Sequence, residues 1–340
     1  MNQDTLLEVK DLYICVEADG HSSPIVENVS LSLNGGEILA LVGESGCGKS
    51  VTAQSFMQLL PKPLKIESGE IKLNSRKQGR MIDITSLDPR SAKIRKIRGN
   101  EIAMIFQEPM SSFSPLHTIG NQLMEVVRIH RKTSKPEAKE IVVGMLDKVG
   151  IPGAARVVDQ YPHELSGGMR QRAMIAKALS CNPTLLIADE PTTALDVTIQ
   201  AQVLTLMHGL QSEFGMAIIF ITHDLGVVAQ VADRVAIMYL GNIIEQGSAR
   251  EILKNPKHPY TVNLIEAVPR LGRVEERKSL IPIQGSVPSL CDRPVGCPFV
   301  TRCTRVIDNR CEEAMPSLIS MSSDHQVACF RHNSTEGETI

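Results

Sequence analysis

The hydrophobic positions of this chain follow two different spacings. Up to residue 42, apolar and polar residues alternate in short runs broken by Asp19-Gly20 and Asn34-Gly35-Gly36, a pattern typical of paired strands and turns. From about 117 to 182, apolar residues recur at helical spacing, for example over 141–149. Farther along, short apolar strands alternate with helical segments. The pattern therefore predicts an α/β fold with an antiparallel β region, a helical insert and a parallel, doubly wound core.

A glycine-rich string follows one predicted strand. Residues 43–50 read Gly-Glu-Ser-Gly-Cys-Gly-Lys-Ser, after an apolar run and before a segment that can continue as a helix. Glycines let backbone N–H groups turn inward around an anion, and the start of a helix adds a positive dipole end. A plain glycine turn would need neither the lysine nor the final hydroxyl. We predict a P-loop NTPase whose nucleotide-binding residues are Gly43, Ser45, Gly46, Cys47, Gly48, Lys49, Ser50 and Val51.

Within this loop, two side chains have specific expected roles. Lys49 is expected to bind the β and γ phosphates of a nucleotide, and Ser50 is expected to bind Mg²⁺. Cys47 lies inside the loop, but this chemistry does not require a thiol.

Polar residues at three strand ends suit catalysis. The run 185–188 ends in Asp189 and Glu190, and two carboxylates after an apolar strand indicate a site at the carboxyl edge of a sheet. Asp189 is predicted to orient Mg²⁺ through its water shell, and Glu190 to polarise the water that attacks the γ phosphate. His223 is predicted to bond that phosphate and water, and Gln107 to contact Mg²⁺ or the water. Solvent-exposed strand ends are the alternative interpretation.

The order of the motifs indicates a family. The string Leu165-Ser166-Gly167-Gly168-Met169 resembles the signature motif of ABC-type ATPases, Gln107 their Q-loop, Ala194-Leu195-Asp196 their D-loop and His223 their switch histidine. The resemblance spans roughly the first 250 residues. It implies that the signature of one subunit, through Ser166, Gly167 and Gly168, caps ATP bound by the phosphate loop of its partner. Asp196 is assigned to the same composite site.

The position that holds adenine departs from the family pattern. An aromatic residue after the first strand usually stacks on the base, and aligning residues 7–12 with that strand places Val16 there. Tyr13 is nearby, but regular alternation would put it on the opposite face from Val16. We therefore expect weak or absent ring stacking on adenine.

The segment after Gln107 carries a second expectation from the family. Residues 108–116 are rich in turn-forming residues and include Met110 and Phe113, which look exposed. A plain loop is one interpretation. The resemblance implies another, in which this segment lines a groove that receives a short helix of a membrane subunit and moves when Gln107 responds to the γ phosphate.

Composition limits the class of protein. The chain has 340 residues and a formal net charge of -2, which gives no reason to expect binding to nucleic acid. Its apolar runs are far shorter than the roughly 18 residues that cross a bilayer, and no basic leader with an apolar core opens the sequence. We expect a protein attached peripherally to the cytoplasmic face of the inner membrane through other subunits.

Cysteine usage is uneven along the chain. Five of the eight cysteines lie in the last fifty residues, and in a cytosolic chain such clustering favours a metal over disulfides. Four of them follow the spacing Cys297-x5-Cys303-x7-Cys311-x17-Cys329, which is not the paired pattern of zinc ribbons. Four thiolates can hold zinc or an iron–sulfur cube.

A narrower resemblance concerns this cysteine-rich region. The strings His258-Pro-Tyr-Thr261 and Gly296-Cys-Pro-Phe-x-x-Arg-Cys303, with the proline-rich stretch 281–290, resemble the C-terminal extension of oligopeptide, dipeptide and nickel importer ATPases. In that group the four cysteines are associated with a [4Fe-4S] cluster, which ranks first here, with zinc second and unligated thiols third. Cys291 lies outside the pattern. Such a cluster would hold together a small extension without a sizeable core.

Together these features predict an ABC-type ATPase domain over 1–255, with its helical subdomain at about 117–182, and a cysteine-rich extension over 256–340. The leading hypothesis is the ATP-hydrolysing subunit of an ABC importer for oligopeptides or dipeptides, with oligosaccharide or nickel as open alternatives. The resemblance implies as partners a second, nonidentical ABC ATPase subunit, two transmembrane permease subunits and, indirectly, an extracytoplasmic substrate-binding protein.

Two other interpretations remain open at this level. One is a soluble ABC-type ATPase of translation or DNA repair with a regulatory metal cluster; the single nucleotide domain and the lack of a basic arm count against it. The other makes the extension an assembly surface between two ATPase subunits, which is compatible with the importer.

Overall fold

A computed structural model describes residues 4–18, 21–107, 112–193, 196–267, 283–289 and 292–332. Its strands are β1 (Thr5–Ala18), β2 (His21–Asn34), β3 (Ile38–Val42), β4 (Leu64–Ser75), β5 (Arg80–Asp83), β6 (Ile102–Ile105), β7 (Leu185–Asp189), β8 (Ala217–Thr222), β9 (Arg234–Tyr239), β10 (Asn242–Ser248), β11 (Ile319–Ser322) and β12 (His325–Val327).

The helices lie between and after these strands. They are α1 (Lys49–Ser55), α2 (Ala92–Ile97), α3 (Ile119–Arg131), α4 (Lys135–Lys148), α5 (Ala154–Val157), α6 (Gly167–Leu179), α7 (Val197–Phe214), α8 (Leu225–Val231), α9 (Ala249–Lys254), α10 (Pro259–Glu266) and α11 (Arg310–Glu313), with short 3-10 turns at Pro162–Glu164 and Val300–Arg302. Among the described residues, no helix is long and apolar enough to cross a membrane.

The central sheet has the strand order β11-β12-β10-β9-β3-β8-β7-β6. The five strands from β9 to β6 run parallel, and every residue of β3, β7 and β8 is buried, as expected for strands covered on both faces. Val42 is paired with Thr222, and Asp189 with Ile221. The carboxyl ends of β3, β7 and β8 therefore reach the same edge of the sheet at nearly the same level.

A second, antiparallel sheet has the order β2-β1-β4-β5 and packs its apolar side chains into a core shared with one face of the central sheet. Its strand β1 is irregular, because the register with β2 and β4 shifts at several points between Val9 and Cys15. Ile14 and Cys15 are consequently both fully buried although they are adjacent in the chain. The period-two argument that placed Tyr13 and Val16 on opposite faces does not apply to this bulged stretch.

Helices α3, α4 and α6 form the region that the sequence predicts as a helical insert. Each starts with a hydroxyl that caps its first turn: Thr118, Ser134 and Ser166 accept hydrogen bonds from backbone N–H groups three residues later. Their apolar faces form one core with the other face of the central sheet. This places the start of α6, with the string 165–169, on the same body as the sheet.

The C-terminal region is built into the rest of the protein. Strand β12 pairs with β10, so the hairpin of β11 and β12 extends the central sheet. Its aromatic and cysteine side chains share a core with β3 and β9, in which Tyr260 and Phe299 lie beside Val42 and Tyr239. The expectation of a small extension without a sizeable core is therefore wrong in this respect, since part of the core belongs to the nucleotide-binding region.

A buried carboxylate holds this junction together. Glu245 on β10 is fully buried and accepts hydrogen bonds from the backbone N–H groups of Lys257 (2.6 Å) and His258 (3.0 Å). The His325 Nε2 atom lies 2.8 Å from its carboxylate. One side chain thus links β10, the start of α10 and β12.

We expect Glu245→Ala to lower the free energy of unfolding by about 3 kcal/mol, because two backbone N–H groups and a buried histidine lose their acceptor. Urea unfolding followed by circular dichroism would measure the change. Glu266→Ala, an exposed glutamate on α10, serves as the control and should change stability by less than about 0.5 kcal/mol. A loss below about 1 kcal/mol for Glu245→Ala would contradict the role assigned to this carboxylate.

Candidate functional site

The loop after β3 curls tightly because glycine occupies its closest contacts. A Cβ atom on Gly43 would lie 2.2 Å from the Met238 carbonyl oxygen and 2.7 Å from the Cys47 sulfur. Gly46 and Gly48 have φ angles of 81° and 99°, in the left-handed region that other residues rarely adopt. Cys47 is buried under the loop, so its thiol fills space there, and α1 begins directly after Gly48.

Lys49 and Ser50 stand at the start of α1. Lys49 is buried, and its ammonium donates hydrogen bonds to the carbonyl oxygens of Gly43 and Glu44, both at 2.8 Å. The Ser50 hydroxyl donates to the Asp189 carboxylate at 3.0 Å. The loop and the end of β7 therefore place one cationic side chain and two oxygen ligands side by side.

Glu190 is the centre of a second group of contacts. Its carboxylate accepts hydrogen bonds from Gln107 Nε2 (3.1 Å) and Thr193 Oγ1 (2.9 Å), and lies 3.2 Å from His223 Nδ1. Glu190 has a φ angle of 45°, a left-handed conformation that costs on the order of 1–3 kcal/mol for a side-chain-bearing residue. The structure thus brings together the three strand-end residues that the sequence assigned to catalysis.

The two adjacent carboxylates have opposite pKa shifts. Burial raises the pKa of Asp189, and the charge of Glu190 acts in the same direction, against the hydrogen bond from Ser50. Burial would also raise the pKa of Glu190, but hydrogen bonds from His223 and Thr193 outweigh it, so the pKa of Glu190 is lower than usual. Glu190 is accordingly ionised at neutral pH, the protonation state that a general base requires.

The signature string lies at the exposed start of α6. Ser166 and Gly167 are exposed, and the Ser166 hydroxyl accepts a hydrogen bond from Met169 N at 3.3 Å. A Cβ atom on Gly167 would meet nothing within 4 Å, whereas one on Gly168 would lie 3.7 Å from Ile199. The hydrogen bonds described for Ser166 remain within its own helix.

A buried hydrogen bond connects α6 with the loop after β7. The buried Gln171 side chain donates a hydrogen bond to the Pro191 carbonyl oxygen, directly after Glu190. Asp196 caps the start of α7 by accepting from Ile199 N at 2.9 Å. Of the predicted D-loop, Ala194 and Leu195 lie outside the described residues.

The segment after Gln107 differs from the expectation. Phe113 is only 5% exposed, and the ammonium of Lys177 on α6 lies 5.1 Å from its ring centroid. Lys177 also donates to the Ser112 carbonyl oxygen at 3.0 Å. The prediction that Phe113 is exposed is wrong, because the ring packs into the core of the helical region; Met110 lies outside the described residues. The exposed apolar side chain here is Leu116, at 80%.

Val16 lies on β1, paired with Ser23 on one side and Leu64 on the other, and is half-buried. Tyr13 is also half-buried; burial raises the pKa of its phenol, followed by the nearby negative charge of Glu27. A valine has no ring to stack on a base, so the structure supplies no reason to change the expectation for adenine.

The four cysteines of the predicted metal site line one small cavity together with His258 and Phe330. Cys297, Cys311 and Cys329 are buried, and Cys303 is half-buried. Burial raises the pKa of Cys297 to about 12, and the three other thiols act in the same direction. Within the described ranges, no group of three or more histidine, cysteine or acidic side chains is arranged to hold a single metal ion. Cys291 lies outside those ranges.

Several residues at the site were not anticipated from the sequence. Thr193 bonds Glu190 from the loop after β7, and a hydroxyl three residues past a glutamate carries no signal of its own. Glu44 of the phosphate loop is held by Arg302 and Tyr260 of the C-terminal region. Both lie within strings quoted for the family resemblance, yet nothing in those strings points to the loop.

Family models match two parts of the chain. The ABC transporter family matches residues 26–193, and the C-terminal region of the oligopeptide/dipeptide transporter family matches residues 244–315. The second match begins within β10, ahead of the boundary expected at residue 256.

Curated relatives are similar over nearly the whole chain. A putative peptide import ATP-binding protein of Brucella ovis is 51% identical over 97% of this chain and 98% of its own length. The dipeptide transport ATP-binding protein of Bacillus subtilis is 46% identical over 96% of this chain and 95% of its own length. The oligopeptide transport ATP-binding protein of Escherichia coli is also 46% identical, over 96% of this chain and 94% of its own length.

Among solved structures, similarity covers the nucleotide-binding region. A dimeric ATP-binding cassette in a post-hydrolysis state with ADP and Pi has a TM-score of 0.63 and 26% identity over 72% of this chain and 99% of that chain. A Clostridium perfringens protein, part of an ABC transporter complex, has a TM-score of 0.62 and 28% identity over 77% of this chain and 96% of that chain.

For Val16→Tyr we expect ATP to bind at least about fivefold more tightly and with greater preference over GTP, because a ring at this position would stack on adenine. Titration of each nucleotide against wild type and variant would measure both effects. Val16→Leu adds bulk without an aromatic face and should leave both values within about twofold. Unchanged affinity and selectivity in Val16→Tyr would refute the assignment of this position to the base.

Proposed function

The chain belongs to the ATP-binding subunits of ABC transporters, and from this premise we propose that it hydrolyses ATP to power the import of oligopeptides or dipeptides. The observation that carries the proposal is the convergence of Gln107, Glu190 and His223 beside the phosphate loop. The names of the three curated relatives, all peptide transport proteins, support the cargo class.

Binding of the nucleotide is assigned to the loop between β3 and α1. Its backbone N–H groups, from Gly43, Ser45, Gly46, Cys47, Gly48, Ser50 and Val51, are proposed to surround the phosphates, with the Lys49 ammonium compensating their charge. The tight turn enforced at Gly43 supports this assignment, since it holds the loop in one conformation before any ligand arrives. Preorganisation of this kind lowers the cost of binding.

The oxygen ligands beside the loop suit Mg²⁺, the metal that accompanies ATP. Ser50 and Asp189, already 3.0 Å apart, would hold the ion, with Gln107 as a further ligand. The bound Mg²⁺ would neutralise negative charge on the phosphates. The raised pKa of the buried Asp189 fits a carboxylate that gains from a nearby cation.

Hydrolysis is assigned to Glu190 as the general base. A water held between this carboxylate and the γ phosphate would give its proton to Glu190 as its oxygen attacks phosphorus, and ADP would leave. His223 keeps the carboxylate ionised and can donate to the γ phosphate, and Gln107 orients the same carboxylate. These contacts fix the base before the substrate arrives.

The exposed signature implies that the site is completed by another subunit. Ser166 and Gly167 are exposed, and with the amide of Gly168 they lie at a helix start that favours an anion. A partner's ATP is therefore their proposed ligand, with Asp196 at the same interface. The dimeric cassette among the solved structures supports an assembly of this type. A nonidentical ATPase subunit is the proposed partner.

Coupling to a membrane requires a docking surface. Two transmembrane permease subunits are the proposed partners, and an extracytoplasmic substrate-binding protein would deliver the cargo to them. Binding to the permeases would place this subunit on the cytoplasmic face of the inner membrane. Leu116, 80% exposed after the segment that Lys177 fixes to α6, is the apolar contact proposed for them. Phe113 is not part of the proposed docking surface, because its ring is buried in the core of the helical region.

The cysteine-lined cavity is proposed to hold a [4Fe-4S] cluster. All four cysteines of the predicted set face one cavity, which supports a shared ligand. Four cysteine thiolates are the usual ligands of such a cluster. When bound, the cluster would stabilise the cysteines as thiolates, which their burial otherwise opposes.

We expect Glu190→Gln to lower kcat for ATP hydrolysis at least about 100-fold, because the amide cannot accept the proton from water. The affinity for ATP should stay within about threefold. Phosphate release by the assembled transporter, with the matching change in the partner ATPase subunit, would measure the effect. Glu213→Gln, an exposed control that pairs with Lys148 on the surface, should leave kcat unchanged. Brisk hydrolysis by the doubly changed assembly would contradict the role of Glu190.

Protein purified without oxygen is expected to contain about four iron atoms per chain and to absorb broadly in the blue. Cys311→Ser should remove most of the iron, whereas Cys181→Ser, a buried cysteine outside the cavity, should retain it. Metal analysis and the visible spectrum provide the measurement. Stoichiometric zinc without iron would overturn the proposed cluster.

A further inference from the structure

The C-terminal region binds the phosphate loop directly. The Arg302 guanidinium donates two hydrogen bonds to the Glu44 carboxylate, from Nη1 to Oε2 at 2.6 Å and from Nη2 to Oε1 at 3.1 Å. The Arg302 side chain is only 4% exposed, and that of Glu44 is 28% exposed. A paired guanidinium–carboxylate contact of this kind is both strong and directional.

A second contact reaches the backbone of the same loop residue. The Tyr260 hydroxyl on α10 accepts a hydrogen bond from the Glu44 N–H at 3.2 Å. Arg302 Nη1 also donates to the Tyr239 hydroxyl at 3.2 Å, and its Nε donates to the Gln284 carbonyl oxygen at 3.0 Å. Both the side chain and the amide of Glu44 are thus held by residues that lie beyond the nucleotide-binding sequence.

These residues belong to a rigid cluster. The rings of Tyr239, Tyr260 and Phe299 pack against each other, with centroids 4.7 to 5.4 Å apart. Arg302 N donates to the Phe299 carbonyl oxygen at 3.1 Å, which closes the short turn that carries the guanidinium. Such packing fixes the position of Arg302, because all three rings are almost completely buried.

Glu44 in turn is connected to Lys49. The Glu44 carbonyl oxygen accepts from the Lys49 ammonium at 2.8 Å, and Cys47 N donates to the same carbonyl oxygen at 3.3 Å. A shift of Glu44 would therefore move the lysine and the N–H groups that face the phosphates. A displacement of about 1 Å at such a site is enough to cost a large factor in rate.

We propose that Arg302 and Tyr260 are positioning residues for the nucleotide: they hold Glu44 and so keep the phosphate loop in its binding conformation. The inference rests on the proposed function for its effect on hydrolysis, but its effect on the loop is measurable without turnover. Arg302 lies directly before Cys303 of the cysteine cavity, so the proposal also gives that region a direct route to the ATP site.

A second ion pair between the C-terminal region and the nucleotide-binding region provides a control for the role of Arg302. Arg293, in the same C-terminal region, forms an ion pair with Glu27 on β2 at 2.5 Å. That pair also joins the C-terminal region to the nucleotide-binding region, but Glu27 is not part of the phosphate loop. Arg293→Gln is therefore the matched control for Arg302→Gln.

The test uses the full chain and two readouts. Titration with a fluorescent ATP analogue gives Kd, and peptide-resolved maleimide labelling gives the reaction rate of Cys47, a residue that is 1% exposed. We expect Arg302→Gln and Glu44→Gln each to weaken ATP binding about tenfold and to speed Cys47 labelling by a similar factor. The double variant should be no worse than either single one, because both remove the same contact. Arg293→Gln should stay within about twofold on both readouts.

Hydrolysis by the assembled transporter adds a further distinction. Arg302→Gln should raise KM for ATP more than it lowers kcat, and Arg302→Lys should restore part of the loss, since it keeps one charged hydrogen bond. If Arg302→Gln fails to fold, Glu44→Gln tests the contact from its partly exposed partner.

Several outcomes would overturn the inference. A Kd within about twofold of wild type for both single variants would do so, as would additive losses in the double variant or an equal loss in Arg293→Gln. If the assembled transporter with wild-type protein had no ATPase activity, the proposed function would be contradicted instead. The Kd values and Cys47 labelling rates would still decide whether Arg302 holds the phosphate loop.

Discussion

The parallel register of β3, β7 and β8 is the constraint on which the site depends. Because Val42 is level with Thr222 and Asp189 with Ile221, the residues that follow these strands leave the sheet at one edge. Short side chains then suffice to bring Ser50 to Asp189 and His223 to Glu190. The strands can hold this register because their side chains are buried on both faces, where a slip would expose apolar surface or bury charge.

At that edge, two adjacent carboxylates have pKa values shifted in opposite directions. Asp189 is the more deeply buried, and its pKa is raised, so it has most to gain from a cation. Burial would raise the pKa of Glu190 too, but hydrogen bonds from His223 and Thr193 outweigh it and lower the pKa. The two neighbouring carboxylates thereby lie in different environments, Asp189 beside the Ser50 hydroxyl and Glu190 beside His223 and Thr193.

Sequence patterns predicted the parts of this site that depend on local spacing. The phosphate loop and the strand ends at Asp189 and His223 follow directly from apolar runs and the residues after them. The patterns failed where distant packing decides. Phe113 looked exposed in a turn-rich segment, but Lys177, 64 positions later, covers its ring. Bulges in β1 broke the alternation assumed for Tyr13 and Val16, and such bulges arise from pairing with two neighbouring strands.

The same limit applies to the C-terminal region, which the sequence predicts as a small extension without a sizeable core. Its cysteines suggested a unit held together by a metal, yet its aromatic residues complete a core that begins at β3. Arg302 and Glu44 are 258 positions apart, so no window of sequence could show their contact. A region attached only through a linker could be lost without affecting the phosphate loop. One that supplies the loop's ion pair, an acceptor for its amide and part of its supporting core cannot, because its loss would release Glu44 and expose the shared core.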